Sequence, residues 1–167
     1  MNIQPTKINS ARSIKRTRQA GVAAVEFAFV LVILLLVMAG MVEFGRTFWY
    51  ADALTKATRD GARVMSSWSI DTISSQGLGA ARSITQGSAN AANVNPPLAT
   101  GNVTVQCLDA AYGAVACADG TAPANVKVSI TGFTVNLGEW FPFIGTDGLI
   151  SFSGIPLAPH TTMRYMN

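Results

Sequence analysis

The apolar run from Val22 to Val42 constrains the fold of this 167-residue chain more than any other feature. It contains 21 residues, and Glu26 is its only charged side chain. As a helix it would cover roughly 31 Å, which is about the thickness of the hydrocarbon core of a bilayer. The sequence therefore predicts a membrane-spanning helix over residues 22–42.

Basic side chains before this run predict its orientation. Residues 1–21 carry five basic side chains and no acidic one, whereas residues 22–167 carry seven basic and nine acidic side chains. Positively charged flanks of membrane helices stay in the cytoplasm. We therefore expect residues 1–21 to be cytoplasmic and the part after the helix to be exported. The overall charge of +3 reflects this flank and does not indicate a nucleic-acid partner.

Three kinds of exported protein share a basic region followed by an apolar run. The first has a secretory signal peptide, and the best cleavage site here follows Ala39, with Val37 at the −3 position. The second keeps the run as an uncleaved signal anchor. The third is a prepilin, in which a peptidase cuts before the run and the helix enters a filament.

Glu26 separates these alternatives. An acidic residue near the centre of a membrane helix costs roughly 2.5–3.5 kcal/mol on insertion scales, and paired charges are the ones that membranes tolerate. Cleavage between Gly21 and Val22 would place Glu26 fifth in the processed chain, where its carboxylate could pair with the α-amino group of a neighbouring subunit. A simpler explanation is that Glu26 lies near the interface, where the helix dipole favours it and its side chain reaches the headgroups.

Two sequence blocks resemble the TadE-like family of minor pilins from tight-adherence (Flp-type) pilus systems. The first, "GVAAVEFAFVL", resembles a prepilin processing motif, in which Glu26 is followed by the aromatic Phe27. The second, "MVEFGRTFWYADALTKATRDGAR", follows at the separation expected of the family. The resemblance covers residues 18–63 and recurs weakly in the C-terminal "TTMRYMN".

The resemblance implies a function, a location and partners. It implies processing between Gly21 and Val22, with Glu26 and Phe27 setting subunit register. The implied location is the bacterial inner membrane, crossed once, with the head in the periplasm. The implied partners are a prepilin peptidase, companion minor pilins, a major Flp pilin, the inner-membrane assembly platform and membrane lipid, without nucleic acid. The implied role is pilus assembly for surface attachment and biofilm formation, as a minor subunit, because major Flp pilins are much shorter.

The remaining chain predicts an α+β fold in which the membrane helix continues into an amphipathic helix packed on a small antiparallel sheet. We expect a leader at 1–21, the membrane helix at 22–42, a helix extension at 43–68 and a head at 69–167. The segments "NVTVQCL" and "NVKVSITGF" alternate apolar and polar residues, as half-buried strands do. Further closing strands are expected in "LISFSGIPL" and "HTTMRYM".

Three-four spacing predicts which face of the helix extension is buried. The predicted stripe contains Phe44, Phe48, Ala51, Leu54, Thr58, Ala62 and Met65. Trp49 and Tyr50 stand where an interfacial aromatic belt would lie. Glu43 and Arg46 are spaced for a local ion pair at the interface, and a role in subunit docking is the alternative.

Cys107 and Cys117 fall in the exported part of the chain, where a disulfide is permitted. A single pair is the simplest interpretation of two cysteines, and two buried free thiols are the alternative. Trp140, Phe141 and Phe143 form an aromatic cluster that would either pack in the core or serve as a docking patch.

The sequence contains no pattern typical of an enzyme. His160 is the only histidine, and no second ligand is spaced with it for a metal ion. No phosphate-binding loop and no paired nucleophile and base are visible. We therefore expect neither catalysis nor a cofactor. The other class that fits the sequence is a signal-anchored envelope protein whose head binds a partner without polymerising.

Overall fold

The computed structural model describes residues 14–137 and 154–166. The first helix, α1, spans Ile14–Ser66 and is 53 residues long. A 3-10 turn (Ile70–Thr72) and a π-helical turn (Ile73–Gly77) lead into the second helix, α2, which spans Leu78–Ala91. A further 3-10 turn, Thr100–Asn102, precedes the strands.

Six strands follow the helices in the described residues: β1 Val103–Leu108, β2 Ala114–Val115, β3 Asn125–Ile130, β4 Phe133–Val135, β5 Ile155–Leu157 and β6 His160–Arg164. Four of them form an antiparallel sheet in the order β2-β1-β3-β6. The other two, β4 and β5, form a separate antiparallel pair. A long N-terminal helix followed by a small antiparallel sheet confirms the predicted α+β fold.

Strands β1 and β3 carry the alternation that the sequence predicted. Their register pairs Val105 with Val128 and Cys107 with Val126. All four side chains are buried, whereas the residues between them are partly exposed. Because side chains directly opposite each other in an antiparallel pair are close, these matched apolar pairs hold one face of the sheet in the core.

The chain divides into two compact units, one ending at Val42 and the other beginning at Glu43. In the second unit, one hydrophobic core contains residues of α1, α2 and the sheet, including Leu54, Met65, Ala81 and Val128. A hydrogen bond of 2.9 Å between the hydroxyl oxygens of Thr58 and Thr161 also joins α1 to β6.

The predicted buried stripe is wrong at its N-terminal end. Phe44 and Phe48 are 72% and 68% exposed, while Tyr50, which was predicted to lie in an aromatic belt, is buried. The observed stripe begins at Tyr50 and continues through Ala53, Leu54, Ala57, Thr58, Gly61, Ala62 and Met65. The apolar spacing continues upstream of Tyr50, but the core covers this side of the helix only from Tyr50 onward.

The C-terminal end of α1 is held by the last described residues. Tyr165 is buried, and its hydroxyl donates a hydrogen bond of 2.7 Å to the carbonyl oxygen of Trp68. The amide of Met166 donates to the carbonyl oxygen of Ser66 at 2.9 Å. The "MRYM" segment therefore fastens the end of the long helix, which gives its tyrosine a structural role.

A disulfide joins Cys107 and Cys117, with their Cα atoms 5.3 Å apart. The segment between them contains the short strand β2, which pairs with β1. Asp109 orders its turn, because one carboxylate oxygen accepts hydrogen bonds from the amides of Ala111 and Gly113 at 2.8 and 2.7 Å. The aromatic cluster at residues 140–143 lies outside the described residues.

Candidate functional site

The residues around the predicted processing junction lie on a continuous helix. Gly21, Val22, Val25, Glu26 and Phe29 line one shallow face of α1. The spacing from Val22 to Val25, Glu26 and Phe29 is three, four and seven residues, which brings side chains to one side of a helix. Phe27, one residue after Glu26, lies on a different face and is 66% exposed.

Glu26 is exposed and has no hydrogen bond or ion pair within the part of the chain that the structure describes. Its neighbours on the shallow face are apolar or carry no side chain. A carboxylate in such surroundings is stabilised by a cationic partner if it lies in a membrane. The described residues supply no such partner.

The helical segment 22–42 presents apolar side chains on all sides. Its large hydrophobic residues are between 41% and 69% exposed. Within the described residues, one helix is long and apolar enough to cross a membrane, the Gly21–Ser66 portion of α1. A surface of this kind is unfavourable in water, because the free energy of exposure grows with apolar area.

Glu43 and Arg46 form an ion pair within the second unit. Arg46 Nη2 lies 2.7 Å from Glu43 Oε2, and only 8% and 5% of the two side chains are exposed. The same Nη2 donates a second hydrogen bond of 2.7 Å to the carbonyl oxygen of Asn136, just after β4. The guanidinium also lies over the ring of Tyr50, 5.8 Å from its centroid. The pair thus connects α1 to the segment that leaves β4.

Gly61 lies at a close contact between α1 and α2. A Cβ atom added there would overlap the hydroxyl of Thr85 and lie 3.0 Å from the carbonyl oxygen of Ala81. The next residue, Ala62, is also fully buried. The "DGA" part of the second sequence block therefore supplies the small residues that this helix crossing requires.

Asp119 holds the π-helical turn that precedes α2. Its Oδ1 accepts hydrogen bonds from the amides of Ser74 and Ser75, at 2.6 and 3.2 Å. The bond from Ser74 is the main cause that holds the pKa of the Asp119 carboxyl below its ordinary value. Hydrogen bonds to the charged form favour ionisation, so this contact strengthens as the carboxyl loses its proton.

Residues 14–137 and 154–166 contain no candidate metal site, because no group of three His, Cys, Asp or Glu side chains among them could hold an ion. His160 is exposed at the start of β6. The two cysteines are joined to each other.

A membrane-length apolar helix that continues into a small α+β unit fits the class of single-pass, membrane-anchored proteins. The family model described as TadE-like protein matches residues 21–63, which confirms the predicted resemblance over this segment. That family is associated with Tad pili as a structural component. No curated protein and no solved structure shows significant similarity to the chain.

The matched segment contains most of the residues that the sequence singled out. Gly21, Val22, Glu26 and Phe27 lie at its start, and Glu43 and Arg46 in its middle. Sequence reasoning missed the roles of Gly61 and Tyr165. A glycine between charged residues in a long helix is a signal of close packing, but it does not identify the partner helix.

Proposed function

We propose that this protein is a minor pilin of a tight-adherence pilus, inserted in the bacterial inner membrane and processed between Gly21 and Val22. The observation that carries the proposal is the family match, which begins at Gly21 and extends through "RDGAR". The exposed apolar surface of segment 22–42 supports it, because lipid or the helices of other subunits would cover such a surface.

Glu26 is the residue that we assign to subunit register. After processing, the α-amino group of a neighbouring subunit would supply the cationic partner that the described chain does not provide. The pairing distance along the helix would then fix the axial offset between two subunits. Phe27 would pack beside this pair, on the adjacent face of the helix.

The proposed partners follow from this role. A prepilin peptidase would cut at Gly21, and an inner-membrane platform would then gather the subunit with companion minor pilins and the major Flp pilin. Residues 1–21 would remain cytoplasmic because of their basic side chains, and the second unit would be periplasmic. Attachment and biofilm formation would depend on the subunit through pilus assembly.

The first experiment identifies the N-terminal residue of the membrane-associated protein by intact mass and Edman sequencing. A start at Val22 is expected. A start at Gly40 would indicate a secreted protein cut by signal peptidase, and an intact Met1 would indicate an uncleaved anchor. Either of these two results rejects prepilin processing.

The second experiment replaces Glu26 by Ala and compares piliation with that of Asp52→Ala, a matched change of an acidic residue further along α1. Asp52 is partly exposed and pairs with Lys56 at 2.7 Å. We expect Glu26→Ala to lose pili while staying in the membrane, and Asp52→Ala to keep them. Normal piliation of Glu26→Ala would instead favour a membrane-anchored protein whose head binds a partner without polymerising.

A further inference from the structure

Three aromatic side chains stand on the surface of the second unit within two turns of α1. Phe44, Phe48 and Trp49 are 72%, 68% and 58% exposed. We call these three residues the aromatic collar. Phe44 and Phe48 are four residues apart and so share a face of the helix. Large aromatic residues so exposed and so close together indicate a contact surface rather than one adapted to water.

The collar carries no exposed charge, although Glu43 directly precedes it and Arg46 lies within it in the sequence. Glu43 and Arg46 are turned into the second unit, where they pair with each other and Arg46 also donates to the carbonyl oxygen of Asn136. The indole N–H of Trp49 is also engaged, since it donates to the carbonyl oxygen of Ala92 at 3.3 Å. The surface left outside is therefore the apolar part of these residues.

The first exposed charges beyond the collar belong to Asp52 and Lys56, whose side chains are 45% and 68% exposed. Between Glu26 and Asp52, every charged side chain of α1 is thus withdrawn from the surface. The sequence alone ends the uncharged stretch at Val42, because Glu43 follows it. The structure extends the uncharged surface by about two turns.

The length of this surface identifies its partner. From Val22 to Trp49 α1 contains 28 residues, or about 42 Å of helix, compared with roughly 30 Å for the hydrocarbon core and about 40–45 Å for a bilayer with its headgroups. Residues 22–42 already account for the hydrocarbon core. The collar then falls at the level of the headgroups, which is where aromatic side chains are enriched in membrane proteins.

We propose that Phe44, Phe48 and Trp49 are embedded in the headgroup layer of the membrane and set the depth at which the second unit meets the lipid surface. The proposal rests on the membrane insertion in the proposed function. The buried Glu43–Arg46 pair makes this contact possible, because it keeps both charges out of the lipid and shielded by protein. Asp52 and Lys56 mark the level at which α1 leaves the headgroups for water.

Site-directed spin labelling of the full chain in phosphatidylcholine and phosphatidylglycerol vesicles tests this depth. The only two cysteines of the chain are joined in a disulfide, so one added cysteine gives one labelled site. The test variants are Phe44→Cys and Phe48→Cys, both at exposed positions where a substitution leaves the core intact. Collisions with oxygen report lipid, and collisions with a nickel chelate report water.

Two control sites calibrate the measurement. Arg59→Cys is exposed and lies eleven residues, or about three turns, beyond Phe48 on the same face of α1. Leu34→Cys lies in the middle of segment 22–42. We expect labels at Phe44 and Phe48 to lose the nickel collisions seen at Arg59 and to show oxygen collisions between those of Arg59 and Leu34.

Each other outcome overturns the inference in a distinct way. Nickel collisions at Phe44 and Phe48 equal to those at Arg59 would place the collar in water. Low collisions with both reagents would show that a protein neighbour covers the collar instead of lipid. If Leu34 itself collided with nickel like Arg59, membrane insertion would fail, and the proposed function would fail with it.

Discussion

Segments 22–42 and 50–65 belong to one helix, and both are rich in apolar residues. They differ in the size of their apolar side chains: the exposed ones of 22–42 are mostly large, and the buried ones of 50–65 are mostly small. In the first, Leu, Val, Ile, Met and Phe side chains are exposed around the helix. In the second, the buried positions are mainly small, as at Ala53, Ala57, Gly61 and Ala62. Large apolar side chains are compatible with contact to lipid chains, whereas small ones let α2 and the sheet approach the backbone of α1 closely.

The difference teaches that hydrophobicity alone does not distinguish a membrane-facing segment from a core-facing one. Charge placement does so more clearly. Segment 50–65 has charged side chains at Lys56, Arg59, Asp60 and Arg63, which are exposed, and at Asp52, which is partly exposed. A helix with one buried stripe and an exposed charged face is typical of a protein surface.

The largest expected effect contrasts one leucine from each segment. Leu54 is fully buried, whereas Leu34 is 61% exposed. We expect Leu54→Ala to lower the free energy of unfolding of the second unit by about 2–5 kcal/mol, because it removes buried methyl groups and leaves a cavity. The measurement is denaturant unfolding of the full chain in detergent micelles, followed by near-ultraviolet circular dichroism.

Leu34→Ala is the matched control for that measurement and should leave the unfolding midpoint of the second unit unchanged. An equal loss of stability in the two variants would contradict the contrast between the segments. It would mean that side chains of segment 22–42 contribute to the same cooperative unit as the core.

A smaller effect contrasts two glycines of α1. Gly61→Ala should destabilise the second unit by about 1–3 kcal/mol, because a methyl group there overpacks the contact with Thr85 and the Ala81 carbonyl oxygen. Gly45 has no atom within 4 Å of an added Cβ. Gly45→Ala should therefore be neutral or stabilise the helix by up to about 1 kcal/mol. Thermal unfolding of the two variants checks the difference in sign.

The smallest expected effect is a pH dependence confined to the second unit. The folded-state pKa of Asp119 is lowered, mainly by the hydrogen bond from the Ser74 amide, so its stabilising contribution is present above the unfolded pKa of about 4. The contribution is lost as the pH falls from there through the folded-state pKa. Asp119→Asn should show a smaller loss of stability between neutral pH and pH values below about 4.

The comparison for this pH experiment is the far-ultraviolet circular dichroism of a peptide of residues 22–42 in micelles, which reports the helix content of that segment. It should change little over the same range, since the only ionisable side chain in that segment is Glu26. An unchanged pH dependence in Asp119→Asn would show that other carboxylates of the second unit carry it.

Much of the fold could be predicted because its signals are local. Alternation in β1 and β3 and the apolar run of α1 depend on residues close together in the chain. The prediction failed at Phe44, Phe48 and Tyr50, where three-four spacing continues but the face covered by the core begins only at Tyr50. Periodicity shows that a helix has an apolar face, but it does not show how far along the helix the core will cover that face.

The sequence by itself determined the membrane-length helix, the two blocks that match the TadE-like family and the strands that alternate, because each depends on composition and spacing along the chain. Only the tertiary structure decided where charge is withdrawn from the surface. In the sequence, Glu43 and Arg46 mark the end of an apolar run. In the structure they pair with each other, and the contacts of Arg46 with Asn136 and Tyr50 hold the pair inside the second unit. Contacts between residues about 90 positions apart depend on the packed fold, and no local pattern encodes them.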